Sequence, residues 1–195
     1  LFKKKTNIII TTTAIDKSQI VKPLAHTETK PIKVLFLGRI QDLKGVGELV
    51  DAIGQLKQKE KLNEFKFSIV GHENKIGYTN ELKKKLEAYG VTTEQADFLG
   101  RITGQKKYQL YASHDVYVLP SYTEGCPNSV LEALASGLFC VTTPVGALKD
   151  LINGHNGVII PVKSVIEIYK TFLMILENKA LLKNRKDISG ESIDK

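Results

Sequence analysis

Along most of this chain, short runs that are apolar almost throughout alternate with stretches of helical periodicity, and that alternation leaves few folds open. The apolar runs are KVLFLG (33–38), FKFSIVG (65–71), ADFLG (96–100), VYVL (Val116–Leu119), FCVTT (139–143) and GVII (157–160). Strands without strict polar alternation are buried on both faces, which is the mark of a parallel sheet. Between them, residues 46–59 carry Val46, Leu49, Val50, Ile53 and Leu56 at helical spacing. Residues 79–89 form a second predicted helix, closed by Gly90, and Gln105–Ser113 a third. A fourth follows Pro127, a helical turn covers 148–152, and Val165–Glu177 places Ile168, Phe172 and Ile175 on one face. The predicted class is α/β, a Rossmann-like doubly wound parallel sheet of about six strands with helices on both faces. Ligands of such a fold bind at the carboxyl ends of the strands.

The polar, glycine-containing segments fall at those ends. Gly38, Arg39 and Lys44 follow the first strand, Gly71 and His72 the second, Gly100, Arg101 and Ile102 the third. After the fourth comes residues 121–137, SYTEGCPNSVLEALASG, a turn that passes into a helix. Pro127 suits the first helical turn, where its missing N–H has no partner to lose. The N–H groups of Asn128, Ser129 and Val130 are then expected to point out of the helix start, an anion site at the positive end of the dipole. Two carboxylates frame it, Glu124 in the turn and Glu132 on the helix.

Glu-Gly-x-Pro followed by a second Glu eight positions after the first resembles the Glu-x7-Glu motif of retaining glycosyltransferases. The family is family 4 of the GT-B fold, also called glycosyl transferases group 1. The loop GRIQDLKG (38–45) is similar to the family's GRxxxxKG loop. The resemblance covers residues 31–178. It implies the second, donor-binding half of a two-domain enzyme that transfers a hexose from a nucleotide sugar with retention of configuration, in polysaccharide or glycoconjugate synthesis. It assigns Arg39 and Lys44 to the diphosphate and its leaving charge, Glu132 to the ribose and Glu124 to the hexose. Gly125 and Cys126 add amide contacts to the sugar, and Ser129 and Val130 to the phosphate. The base is expected near Gly71, Arg101 and Ile102, with His72 either flanking the base or the sugar or standing as an exposed loop histidine, and GHEN where the family often has a second glycine leaves the base open. No metal ion or other cofactor is implied. The acceptor, whether sugar, lipid or protein, is not legible.

Composition narrows the alternatives. The chain has 195 residues with 42% hydrophobic and 25% charged residues, ordinary for a globular domain. Its net charge of +7 invites a nucleic-acid partner, but the lysines are scattered and no basic stretch is interleaved with aromatics. Lys83, Lys84 and Lys85 read as the solvated face of a helix. Cys126 and Cys140 lack metal-ligand spacing and are expected to be reduced thiols. An NAD-binding Rossmann domain fits poorly: Gly45-Val46-Gly47 comes late after its strand and Val50 stands at the third glycine position. A nucleotide-sugar epimerase, a phosphorylase-like enzyme and a non-catalytic nucleotide-binding module are the other readings. His114 and His155 are expected to be structural or solvated. The only methionine is Met174, so a longer parent protein is expected, with residues 1–30 as the linker from a missing first domain and 31–195 as the donor domain. No signal peptide or membrane span is apparent, and a cytoplasmic location is expected, with peripheral contact at the inner face of the membrane for the whole enzyme.

Overall fold

The computed structural model describes Val21 and residues 31–182. Most of the expected linker, residues 1–30, lies outside the described residues. Six strands form one sheet: β1 (Ile32–Leu37), β2 (Phe65–Val70), β3 (Ala96–Gly100), β4 (Val116–Leu119), β5 (Phe139–Thr142) and β6 (Gly157–Ile159). Their spatial order is β3-β2-β1-β4-β5-β6, and every pairing is parallel. The helices are α1 (Val46–Gln58), α2 (Tyr78–Ala88), α3 (Gln105–Ser113), α4 (Asn128–Ala135), α5 (Leu148–Leu151) and α6 (Val165–Glu177). This is the doubly wound sheet that the alternation predicts, with helices covering both faces.

Burial follows position in the sheet. All four residues of β4 and of β5 are buried, whereas Leu99 and Gly100 of edge strand β3 are exposed. Edge strand β6 shortens to three residues. An edge strand has one neighbour and a thinner helical cover, so its apolar run need not be complete. On one face α1 and α6 pack together, and Phe172 of α6 sits against Phe65 and Phe67 of β2 with ring centroids 5.7 and 5.4 Å away. Ser164 caps α6 by accepting a hydrogen bond from the Glu167 N–H, which matches its Ser-x-x-Glu sequence. The N–H groups of Gly90 and Val91 donate back to Glu87 and Leu86 and close α2 as the glycine predicts.

Two residues before β4 pin the centre of the sheet. Asp115 donates its N–H to the Lys33 carbonyl and accepts from the Lys33 N–H, both at 2.8 Å. His114 is buried, with Nδ1 2.7 Å from the Leu110 carbonyl and Nε2 2.9 Å from Ser68 Oγ on β2. It is a structural histidine, and His155 is exposed.

Candidate functional site

Between β1 and β4 the strand order reverses, which opens a crevice outside their carboxyl ends. Residues 38–45 and 120–127 line it, and the backbone brings these loops into direct contact. Gly45 ends a 3-10 turn over Asp42–Lys44 with φ 67°, and a Cβ there would stand 2.2 Å from the Pro120 carbonyl oxygen. Only glycine satisfies both demands. The Tyr122 N–H donates to the Leu43 carbonyl at 2.9 Å. The loop after β2 closes on the same place: a Cβ on Gly71 would come 1.8 Å from the Gly38 oxygen, and the Ile40 N–H donates to the His72 carbonyl. The loop after β5 supports 120–127 from behind. The Thr143 hydroxyl donates to the Ser121 carbonyl at 2.6 Å, and the Ala147 N–H to the Gly125 carbonyl at 2.8 Å.

This scaffold joins side chains far apart in sequence. Lys44 Nζ donates to Glu124 Oε1 at 2.5 Å, and the Ser121 hydroxyl donates to the same oxygen at 2.7 Å. The two charged side chains are 15% and 8% exposed, so the pair is shielded from water. A second pair joins α3 and α4. Lys107 Nζ donates to Glu132 Oε1 at 2.7 Å, and the Tyr111 hydroxyl lies 3.0 Å from Oε2. Tyr111 is fully buried, and desolvation pushes its phenol well above the usual range. Around the mouth, the Tyr122 hydroxyl donates to Glu48, and burial together with Glu48 pushes that phenol up. Tyr78 is raised in the same way, by burial and by its hydrogen bond to Asp42. These contacts tie the loops after β1, β2 and β4 together.

Of the residues marked in the sequence, Gly38, Lys44, Gly71, Glu124 and Gly125 belong to this interlocked unit, and Glu132 belongs to the pair that joins α3 and α4. Arg39 lies in the same loop with its side chain exposed. Cys126 is half-buried, and desolvation raises its thiol, which keeps it protonated. His72 contributes its carbonyl while its side chain is exposed. Arg101 is exposed and Ile102 half-buried just beyond β3, two strands away from β1. Among the described residues, no ion pair links the side chains of His72 or Arg101 to either Lys–Glu pair.

The helix start departs from expectation. Pro127 stands outside α4 as an extended cap, φ −73° and ψ 117°, and the helix begins at Asn128. The Val130 N–H donates to the Pro127 carbonyl at 3.0 Å, and Val130 is fully buried. With its N–H consumed by the capping turn, Val130 is not an outward donor, and Asn128 and Ser129 are the first two residues of the helix. Lys107, Tyr111, Tyr122 and Gly146 escaped the sequence reading. The only signal for the first two is their spacing of four on α3, which puts them on one face.

Among the described residues, no three His, Cys, Asp or Glu side chains group as metal ligands, and no helix is long and apolar enough to cross a membrane.

The family described as Glycosyl transferases group 1 matches residues 31–178. An uncharacterised glycosyltransferase of Methanocaldococcus jannaschii is 30% identical over 166 residues, which are 83% of this chain and 39% of that protein. The chain therefore spans about two fifths of that relative. Among solved structures, the C-terminal domain of a glycosyl transferase group 1 family protein of Francisella tularensis superimposes with a TM-score of 0.76. That match has 24% identity and covers 93% of this chain and 95% of the other. The Anabaena protein HepE, in complex with UDP-glucose, gives a TM-score of 0.73 at 19% identity, over 85% of this chain and 44% of HepE.

Proposed function

The chain belongs to the glycosyl transferases group 1 family, with the fold of the C-terminal domain of its GT-B members, and on that premise we propose that it is the donor-binding half of a retaining hexosyltransferase. The observation that carries the reading is the Lys44–Glu124 contact at the switch point, because it brings the GRIQDLKG loop and the EGCP turn together. A diphosphate needs cations and N–H donors, and a sugar needs acceptors; this crevice offers both within one cluster. Arg39 and Lys44 bind the diphosphate with help from the Ser129 N–H, and they stabilise the charge left on the departing nucleoside diphosphate. Glu132 accepts from the ribose hydroxyls, since two carboxylate oxygens match a vicinal diol. Glu124 and the amides of Gly125 and Cys126 take the hexose. The base lies toward Gly71, His72, Arg101 and Ile102. The HepE complex with UDP-glucose makes uridine diphosphate the first ligand to try.

Positive potential from two side chains and a helix start removes the need for a divalent metal. The acceptor, a sugar, lipid or protein, binds on the part of the enzyme outside this chain, which works in the cytoplasm with peripheral contact at the membrane. Its product belongs to polysaccharide or glycoconjugate synthesis.

Thermal unfolding of the chain with uridine, guanosine and adenosine diphosphates, NAD and an oligonucleotide tests the proposal. One nucleoside diphosphate at 100 times its dissociation constant should add about 2.7 kcal/mol of stability, unchanged by EDTA. Protection by NAD or by the oligonucleotide alone would overturn the ligand class. Protection lost with EDTA and restored by magnesium would overturn the metal-free reading.

A further inference from the structure

Both carboxylate oxygens of Glu132 are already engaged inside the protein. Oε1 accepts from Lys107 Nζ at 2.7 Å, and Oε2 lies 3.0 Å from the Tyr111 hydroxyl. An ionised carboxylate offers about four lone-pair sites, so about two remain, one for each hydroxyl of a vicinal diol. The two internal donors differ in kind. Tyr111 is fully buried and its phenol is held well above the usual range, so it remains a neutral donor, shared between Glu132 and the Ser129 carbonyl at 3.2 Å. Lys107 is the cation of the group. Its side chain is 21% exposed, and its ammonium lies 4.7 Å from the centroid of the Tyr108 ring, which restricts it. Glu132 itself is 13% exposed, and a carboxylate that shielded is costly to hold ionised without a counter-charge. Donors on both oxygens also fix the plane of the group. Terminal carboxylate torsions are otherwise broad.

We propose that Lys107, acting with the Tyr111 hydroxyl, is the positioning residue that locks the Glu132 carboxylate in the orientation that reads both ribose hydroxyls of a nucleoside diphosphate. This rests on the assignment of Glu132 to the ribose. In this role Lys107 touches no substrate and works through Glu132 alone. Its loss therefore changes how well the site tells a ribose from a deoxyribose, beyond any general loss of affinity.

Calorimetric titration of the full chain with uridine diphosphate and with its 2′-deoxy and 3′-deoxy analogues reads that property directly. Wild type should prefer uridine diphosphate over each analogue by roughly tenfold or more, the worth of a hydrogen bond to a charged group. Glu132→Gln should abolish most of the preference. Lys107→Met should shrink it to about threefold or less, Tyr111→Phe should shrink it partway, and Lys107→Arg should retain it. A purely structural Lys107 would weaken the three ligands alike and leave the preference intact. That result, in a Lys107→Met chain with wild-type melting, overturns the proposal while the Glu132 assignment stands. Lys107→Gln is the substitute if the methionine variant does not fold. Absence of any preference in wild type overturns the ribose assignment and this proposal together.

Discussion

Lys44 and Glu124 hold one another, although the proposed chemistry gives them different partners, phosphate and hexose. The ammonium must turn from the carboxylate to meet a diphosphate, and a carboxylate beside that diphosphate repels it. Glu124→Gln should therefore strengthen free uridine diphosphate by roughly threefold to tenfold, in line with the ~0.5–1.5 kcal/mol net worth of one hydrogen bond. The same variant should weaken uridine diphosphate glucose, because the amide is a poorer acceptor for the hexose hydroxyls. Titration of both ligands against wild type and variant settles the matter. Parallel changes for the two would mean that Glu124 does not read the sugar. The sequence marked Lys44 and Glu124 separately, but nothing in it shows that residues 80 apart would touch. Lys107 and Tyr111 were hidden for another reason: a lysine on an amphipathic helix reads as solvated and a tyrosine on its inner face as core. Val130 was misjudged because the Pro127 carbonyl, not solvent, takes its N–H.

At the level of elements, the strands and helices were legible because burial imposes periodicity on them, and their boundaries shifted by only a residue or two. The interlock of the loops was not legible, since it depends on which backbones meet. Gly146 shows this. It has φ 55°, and a Cβ there would lie 2.1 Å from the Gly125 oxygen and 2.4 Å from the Glu124 oxygen. Alanine must push the EGCP turn out of place or unfold the loop after β5. Gly146→Ala should cost ~1–3 kcal/mol of stability from strain and displacement. It should also weaken uridine diphosphate glucose more than uridine diphosphate, because the displaced backbone carries Glu124. Gly77→Ala is the control, with φ 88° and no atom within 4 Å of the added carbon. Equal sugar affinity in the two variants would show that Gly146 does not support the turn.

The whole molecule is held at its centre by β1, β2 and β4, and His114 bonds across that centre from the end of α3 to β2. Desolvation is the main reason its imidazole sits below its ordinary value, with the positive charges of Lys33 and Lys66 adding to the effect. The Leu110 carbonyl and the charge of Asp115 oppose it without reversing it. The folded state thus prefers neutral His114, while the unfolded chain binds a proton near the ordinary pKa of about 6.5. Below that pH the unfolded state carries more protons at this position than the folded one, so stability falls with pH. The contribution is fully present above about pH 6.5 and is lost progressively as the pH drops toward the folded-state value. Melting curves from pH 7.5 to 5.5 should show wild type losing stability over this window, ahead of most carboxylate protonation. His114→Gln keeps an acceptor and a donor in the cavity but cannot titrate. It should melt lower than wild type at pH 7.5 and decline less steeply as the pH falls. Parallel curves for the two proteins would mean that His114 accepts its proton at little cost in the fold, and the acid sensitivity would have to come from other groups.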